Sequence, residues 1–203
     1  AMRQQQIQPR DVSKILITHL HGDHFGGLPF FLLDAQLVSK RTAPLTLVGP
    51  PGLETRLLAA MEILFAGSST VEPNFEIRFV ELKPRTPTEV DGIEVTAFPA
   101  AHFSGAPSYS LRVEVERKVF VYSGDTQWTD TLIEASDQAD LFVCESYVFD
   151  QEVALHNNYK TIMEHRARLT CKRIVLTHMS EDVLSRAAEI ELPMAEDGLQ
   201  LTL

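Results

Sequence analysis

The amino-acid sequence predicts an α/β fold, and three observations carry that expectation. After Asp125, apolar runs of strand length alternate with segments at helical spacing. Between residues 75 and 122 the apolar period is two, as in half-exposed strands. Several strand-like runs also end at a histidine or aspartate, the pattern of a protein whose sheet edge carries its chemistry.

Size and charge set the outer limits. The chain has 203 residues, 44% of them hydrophobic, enough for one sizeable core, and residues 1–203 are read as a single domain. The formal net charge of −10 argues against a broad nucleic-acid-binding or anionic-membrane surface. No run reaches the about 20 apolar residues needed to cross a membrane. The segment Met2-Arg3-Gln4-Gln5-Gln6 leads into no apolar core of the signal-peptide kind. The two cysteines, Cys144 and Cys171, lie beside apolar runs and read as buried free thiols, which places the protein in a reducing cytoplasm.

In chain order, residues 1–13 are polar, contain Pro9, and read as a helix end and a turn. Lys14 to Thr18 is a short buried strand. Leu28 to Ser39 is apolar at helical spacing, with Pro29 suited to a first turn. Leu45 to Val48 is a strand, Gly49-Pro50-Pro51-Gly52 a turn, and Leu53 to Phe65 a helix. Phe75 to Leu82 alternates and opens a group of strands expected to pair mostly antiparallel. Asp91-Gly92 marks a hairpin before a strand from Ile93 to Phe98, and Glu116-Arg117-Lys118 joins strands Tyr109–Val115 and Val119–Tyr122. Then come a helix from Thr129 to Ser136, a strand from Leu141 to Cys144 and a helix from Tyr159 to Leu169. A strand from Ile174 to Thr177, a helix from Glu181 to Ala188 and a final strand from Leu199 to Leu203 complete the reading.

The chemistry concentrates in Thr18-His19-Leu20-His21-Gly22-Asp23-His24-Phe25-Gly26-Gly27, which holds three of the chain's seven histidines. Imidazole and carboxylate donors in this density suit zinc, iron or manganese. Glycines 22, 26 and 27 would let the backbone of this loop approach the metals closely. Three later strands end at His102, at Ser123-Gly124-Asp125-Thr126 and at Thr177-His178-Met179-Ser180. Each is weak alone; together they would converge on one sheet edge.

The set H-x-H-x-D-H, then His, then S-G-D-T, then T-H-M-S resembles the metallo-β-lactamase superfamily, in its ribonuclease Z-like branch, over about residues 11 to 203. The resemblance implies an αββα sandwich, here lacking its first N-terminal strands, and a site for two divalent metals, zinc foremost, with manganese or iron as alternatives. By that resemblance His19, His21 and His102 would hold one metal, Asp23, His24 and His178 the other, and Asp125 would bridge both. Two such ions about 3.5–4 Å apart bring bound water from a pKa of about 15.7 to about 7, so that hydroxide serves as nucleophile near neutrality. His24 and Asp125 stand where penicillin-cleaving members carry Arg and Cys, which turns the reading away from β-lactam substrates. His156 is expected to assist the leaving group as a general acid, with Glu145 orienting it, and Asp23 could also move protons. Tyr109 reads as a buried strand residue, Trp128 as a pocket or core residue, and His165 as part of a solvated helix face.

The expected activity is therefore that of a dinuclear metal-dependent hydrolase of phosphodiesterase type. The tRNA-processing members carry an arm inserted between the third and fourth metal motifs, where this chain has only 22 residues between His102 and Asp125. With the acidic balance, this favours a small-molecule substrate over nucleic acid, with no membrane partner, although a local basic pocket stays open. A homodimer would cover the edge left by the missing strands. The alternatives are a lactone or carboxylic ester hydrolase, and a metal-binding but inactive fragment with an assembly role.

Overall fold

A computed structural model describes Met2 and residues 4–203. Ala1 and Arg3, within the expected N-terminal helix end and turn, lie outside the described residues. The fold is α/β, as the sequence predicts. Its elements fall into two compact units, residues 1–82 with 104–106, and residues 83–103 with 107–203.

The first unit is built on three parallel strands in the order β1 (Lys14–Leu16), β2 (Leu45–Gly49) and β3 (Ile77–Glu81). Parallel neighbours need crossovers. Helices α1 (Gly22–Phe25) and α2 (Leu28–Leu33) supply the first and α3 (Leu53–Leu64) the second. Pro29 sits in the first turn of α2 as expected, and the helix continues as a π-helix over Asp34–Val38. Leu28, Leu32, Leu45, Leu47, Leu53 and Leu57 form the core of this unit with Ile17, Leu20 and Phe25. The buried Arg41 donates to the carbonyls of Pro9, Arg10, Ala43 and Pro44, tying the turn at Pro9–Asp11 to the entry of β2.

The second unit is a six-stranded sheet in sequence order: β4 (Thr88–Val90), β5 (Ile93–Pro99), β6 (Tyr109–Val115), β7 (Lys118–Tyr122), β8 (Leu141–Glu145) and β9 (Ile174–Thr177). The β4–β5 hairpin turns on Asp91 and Gly92, both at positive φ (44° and 88°), the twist a two-residue hairpin requires. From β4 to β7 the pairs are antiparallel; β7–β8 and β8–β9 are parallel. The parallel crossovers carry helices α4 (Thr131–Ser136) and α5 (Tyr159–His165). Phe98, Val121, Leu132, Phe142, Ile162 and Leu176 lie in the core of this unit, with both thiols. A last helix, α6 (Glu181–Leu184), follows β9.

This order of directions has a chemical consequence within the unit. Strand β5 runs antiparallel to β6, which runs antiparallel to β7, so β5, β7, β8 and β9 all point the same way. Their carboxyl ends share one edge of the sheet, and His102, Asp125, Glu145 and His178 lie at or just past those four ends. Such an edge is where open α/β sheets gather functional groups.

Two expectations about strands are corrected. Residues 77–81 alternate as foreseen but pair parallel with β2, because the helix α3 before them is a crossover and no tight turn joins them to β4. Residues 199–203 form no strand. The outer edge of β9 is taken instead by residues 193–195, with Leu176 N–H donating to the Pro193 carbonyl at 2.8 Å and Ala195 N–H to the Leu176 carbonyl at 2.7 Å. Pro193 has no N–H, so this contact stops at an isolated bridge.

Candidate metal centre

In the first unit the histidine-rich stretch leaves β1 and turns at once into α1. His21 is the residue capping that helix, Asp23 lies in its first turn and His24 in its last. Helical winding at residues 22–25 folds four polar side chains back on one another. The His19 ring meets His21 edge-on, with centroids 5.1 Å apart, and lies 4.0 Å from His24. His24 Nε2 is 3.4 Å from an Asp23 carboxylate oxygen. His19 is fully buried, with Nδ1 3.0 Å from the Thr18 hydroxyl. Of the three glycines expected to bring this loop close to metals, only Gly26 is demanded by sterics: a Cβ there would run into the Gly22 carbonyl, whereas Gly22 and Gly27 face open space.

In the second unit the sheet edge assembles a second cluster. His102 Nδ1 lies 2.9 Å from the carbonyl of Leu155, an anchorage through one ring nitrogen that is typical of metal-binding imidazoles. Leu155 adopts φ = 68° in doing so. Asp125 is buried; its carboxylate lies 3.9 Å from His102 Nε2 and 3.5 Å from His178 Nδ1. Asp125 is held where it is by its neighbours. Ala101 N–H donates to the Thr126 hydroxyl at 2.9 Å, and Gln127 bridges to Ala101, so the exits of β5 and β7 are stitched together.

Glu145 is the hub of this cluster. Its carboxylate is fully buried; one oxygen contacts His156 Nδ1 and lies 3.3 Å from His178 Nδ1, and the other accepts from Thr126 N–H at 2.7 Å. The Glu145 N–H is itself bound to the Ser123 hydroxyl at 2.8 Å. Donor atoms of Asp125, Glu145, His156 and His178 lie within 4.8 Å of one another. Two imidazoles and two carboxylates form a donor set that suits a divalent transition metal. Both Glu145 oxygens already have protein partners, the Thr126 N–H on one side and the two imidazoles on the other.

Tyr147 was not singled out by sequence reasoning. Its ring packs 4.6 Å from His156 and 5.7 Å from His178, and those two imidazoles lie 5.6 Å apart at 21°. Its position two residues past a strand-end carboxylate is the available signal. Tyr109, by contrast, is a buried strand residue, as read. His165 departs from the solvated face expected of it: it stacks on Trp128, centroids 4.4 Å apart and planes 8° apart.

The seven expected ligands thus fall into two groups, His19, His21, Asp23 and His24 in the first unit, and His102, Asp125 and His178 in the second, the latter joined by the Glu145–His156 pair. Among the described residues no helix is long and apolar enough to cross a membrane.

Comparison with known proteins agrees with this chemistry. The model of a family described as a β-lactamase superfamily domain matches residues 1–179. Ribonuclease Z of Agathobacter rectalis is 26% identical over 251 residues, covering 97% of this chain and 79% of that protein. Ribonuclease Z of Staphylococcus aureus is 36% identical over 102 residues, half of this chain and 31% of that protein. Among solved structures, human tRNase Z, short form, superposes with a TM-score of 0.75 at 26% identity, covering 98% of this chain and 82% of that one. These relatives overturn the expectation of a small-molecule substrate in preference to nucleic acid, since they are named as ribonucleases and, in the human case, for tRNA. The acidic balance was a poor guide because net charge is summed over the whole surface, whereas the potential met by a phosphate is local and is changed by any bound cation.

Proposed function

Because this chain belongs to the β-lactamase superfamily and is a hydrolase of ribonuclease Z-like kinship, we propose that it is a metal-dependent phosphodiesterase acting on RNA, tRNA being the first substrate to test. The observation that carries the reading is the buried Glu145 carboxylate holding His156 beside Asp125 and His178.

We assign two divalent ions to this protein, zinc by preference for an imidazole-rich set. His19, His21 and His102 would hold one and Asp23, His24 and His178 the other, with Asp125 shared, so that residues 1–203 act as one domain. When bound, such ions lower the pKa of coordinated water and polarise phosphoryl oxygens. The chain's own groups do the rest. His156 gives a proton to the oxygen that leaves phosphorus, avoiding an unprotonated alkoxide. Glu145, at Nδ1, fixes which ring nitrogen serves in that transfer. Tyr147 limits rotation of the His156 and His178 rings by packing on both. Asp23 is available to move protons on the side of the incoming water. The two free, buried cysteines suit a reducing cytoplasm, where we place the protein.

The test is a substrate panel on metal-loaded protein: a precursor tRNA, an unstructured RNA oligonucleotide, bis(p-nitrophenyl) phosphate, a lactone and a p-nitrophenyl ester. Cleavage of RNA that falls about 10²–10⁴-fold in His156→Ala, together with chelator-sensitive turnover, supports the assignment. Turnover confined to the lactone or ester overturns it.

A further inference from the structure

Beside His156, and entirely within the second unit, lies a pocket of about 140 Å³. Gln127, Trp128, Glu152, His156, Asn158 and Thr161 line it. These are amides, a hydroxyl, an indole, the His156 imidazole and one carboxylate, with neither lysine nor arginine among the lining residues. A site for phosphate needs cations or converging N–H donors. His156 is assigned to the leaving oxygen, and the remaining groups offer hydrogen bonds and one negative charge, which suit the polar edge of a neutral heterocycle better than an anion.

The indole is held in place. Trp128 stacks nearly parallel on His165, His165 Nδ1 lies 3.3 Å from Arg168, and Arg168 donates to Asp130 at 2.6 Å. Asn158 caps α5 through Thr161 N–H at 2.8 Å, which fixes the wall on the helix side. The lining is therefore set by α5 and by an anchored aromatic ring. Aromatic and amide walls of this kind are how proteins take single unstacked bases.

We propose that this pocket seats one nucleobase of the RNA substrate, that of the nucleoside carrying the leaving oxygen. The assignment rests on the phosphodiesterase reading, because it takes His156 to be the proton donor to that oxygen. A group that protonates the leaving oxygen and also lines a pocket puts the leaving nucleoside's base within reach of the pocket. Glu152 would accept from an amino or ring N–H of the base. Recognition would then fall on the base rather than on the phosphate backbone.

Trp128 is the chain's single tryptophan, so its emission reports on this pocket alone. The experiment titrates the full chain with adenosine, guanosine, cytidine and uridine, with ribose as control, following Trp128 fluorescence. A saturable change with at least one nucleoside and none with ribose is expected, weakened about fivefold or more in Glu152→Ala and in Thr161→Ala, the scale of one base contact. An equal response to ribose, or nucleoside affinities unmoved in both variants, overturns the proposal. In a second arm, RNA oligonucleotides carry one abasic site on either side of the scissile bond. Loss of about fivefold or more in kcat/KM is expected only for the abasic site on the leaving nucleoside; loss only on the opposite side overturns the assignment. If no RNA is cleaved, the reading of RNA as substrate falls, while the fluorescence arm still decides whether the pocket takes a base.

Discussion

Replacing Glu145 by glutamine isolates the part of the site that the proposed function assigns to proton transfer. The Thr126 N–H can still be accepted by the amide carbonyl, at the 2.7 Å distance seen for the carboxylate, while the atom facing His156 and His178 loses its charge. A hydrogen bond to a charged group contributes about 1.5–3 kcal/mol net, which corresponds to roughly 10–150-fold if it is expressed fully at the transition state. Removing the proposed proton donor, in His156→Ala, should cost about 10²–10⁴-fold, the range for general acid catalysis. The double variant should be no slower than His156→Ala, since Glu145 is proposed to act through that imidazole. The discriminating measurement compares two leaving groups. RNA releases a basic alkoxide oxygen and needs the proton, whereas p-nitrophenolate departs without one. Both variants should therefore lose their factor on RNA and less than about threefold on bis(p-nitrophenyl) phosphate. Equal losses on the two substrates, with metal content retained, would refute the reasoning and return Glu145 to a purely architectural role.

Three further outcomes follow from the geometry of the protein. His19→Ala and His178→Ala should each lower the metal bound per chain from about two to about one or less by mass spectrometry; full occupancy in both would remove them from the ligand set. Gly26→Ala should disturb the histidine loop, because its Cβ meets the Gly22 carbonyl, and should weaken metal retention, whereas Gly27→Ala should be nearly neutral; differential scanning fluorimetry with and without metal would compare them. The Asp140 carboxyl is held below the usual carboxylate range, first by Lys172 and then by the Val119 N–H. A depressed carboxyl stabilises the fold above its unfolded pKa and loses that contribution as pH falls through the folded value. The Tm gap between the wild-type chain and Asp140→Asn should thus be full at pH 7 and shrink below about pH 4; a gap that grows on acidification contradicts it.

The fold was legible where local pattern decides it. The Asp91-Gly92 hairpin, the strand Tyr109–Val115 and the strand Ile174–Thr177 follow from periodicity and turn chemistry, and all three are present. Partner choice was not legible in the same way. Alternation over residues 77–81 marks a strand, yet its parallel pairing with β2 depends on where α3 deposits the chain. The predicted strand at Leu199–Leu203 failed because the edge of β9 was already claimed by residues 193–195, a competition no local pattern records. In the candidate site, the dense H-x-H-x-D-H stretch and the strand-end residues His102, Asp125 and His178 announced themselves by type and spacing. The contacts of Glu145 with both His156 and His178, and the packing of Tyr147, arise only when β8 and β9 lie side by side. The substrate class was misjudged because a short spacing between His102 and Asp125 and a whole-chain charge were asked to report on one local surface.

Leu155 carries a consequence for how this protein can change over evolutionary time. Its carbonyl anchors His102, and the next residue in the chain is His156. In the roles proposed for them, one peptide segment would therefore serve the metal ligand and the proton donor together. Any drift in the loop that retunes which leaving groups are accepted also loosens the support of His102. Selection on leaving-group preference and selection on metal retention are bound to the same few backbone torsions, so this loop should tolerate exchange of its outward side chains far better than insertion or deletion of a residue.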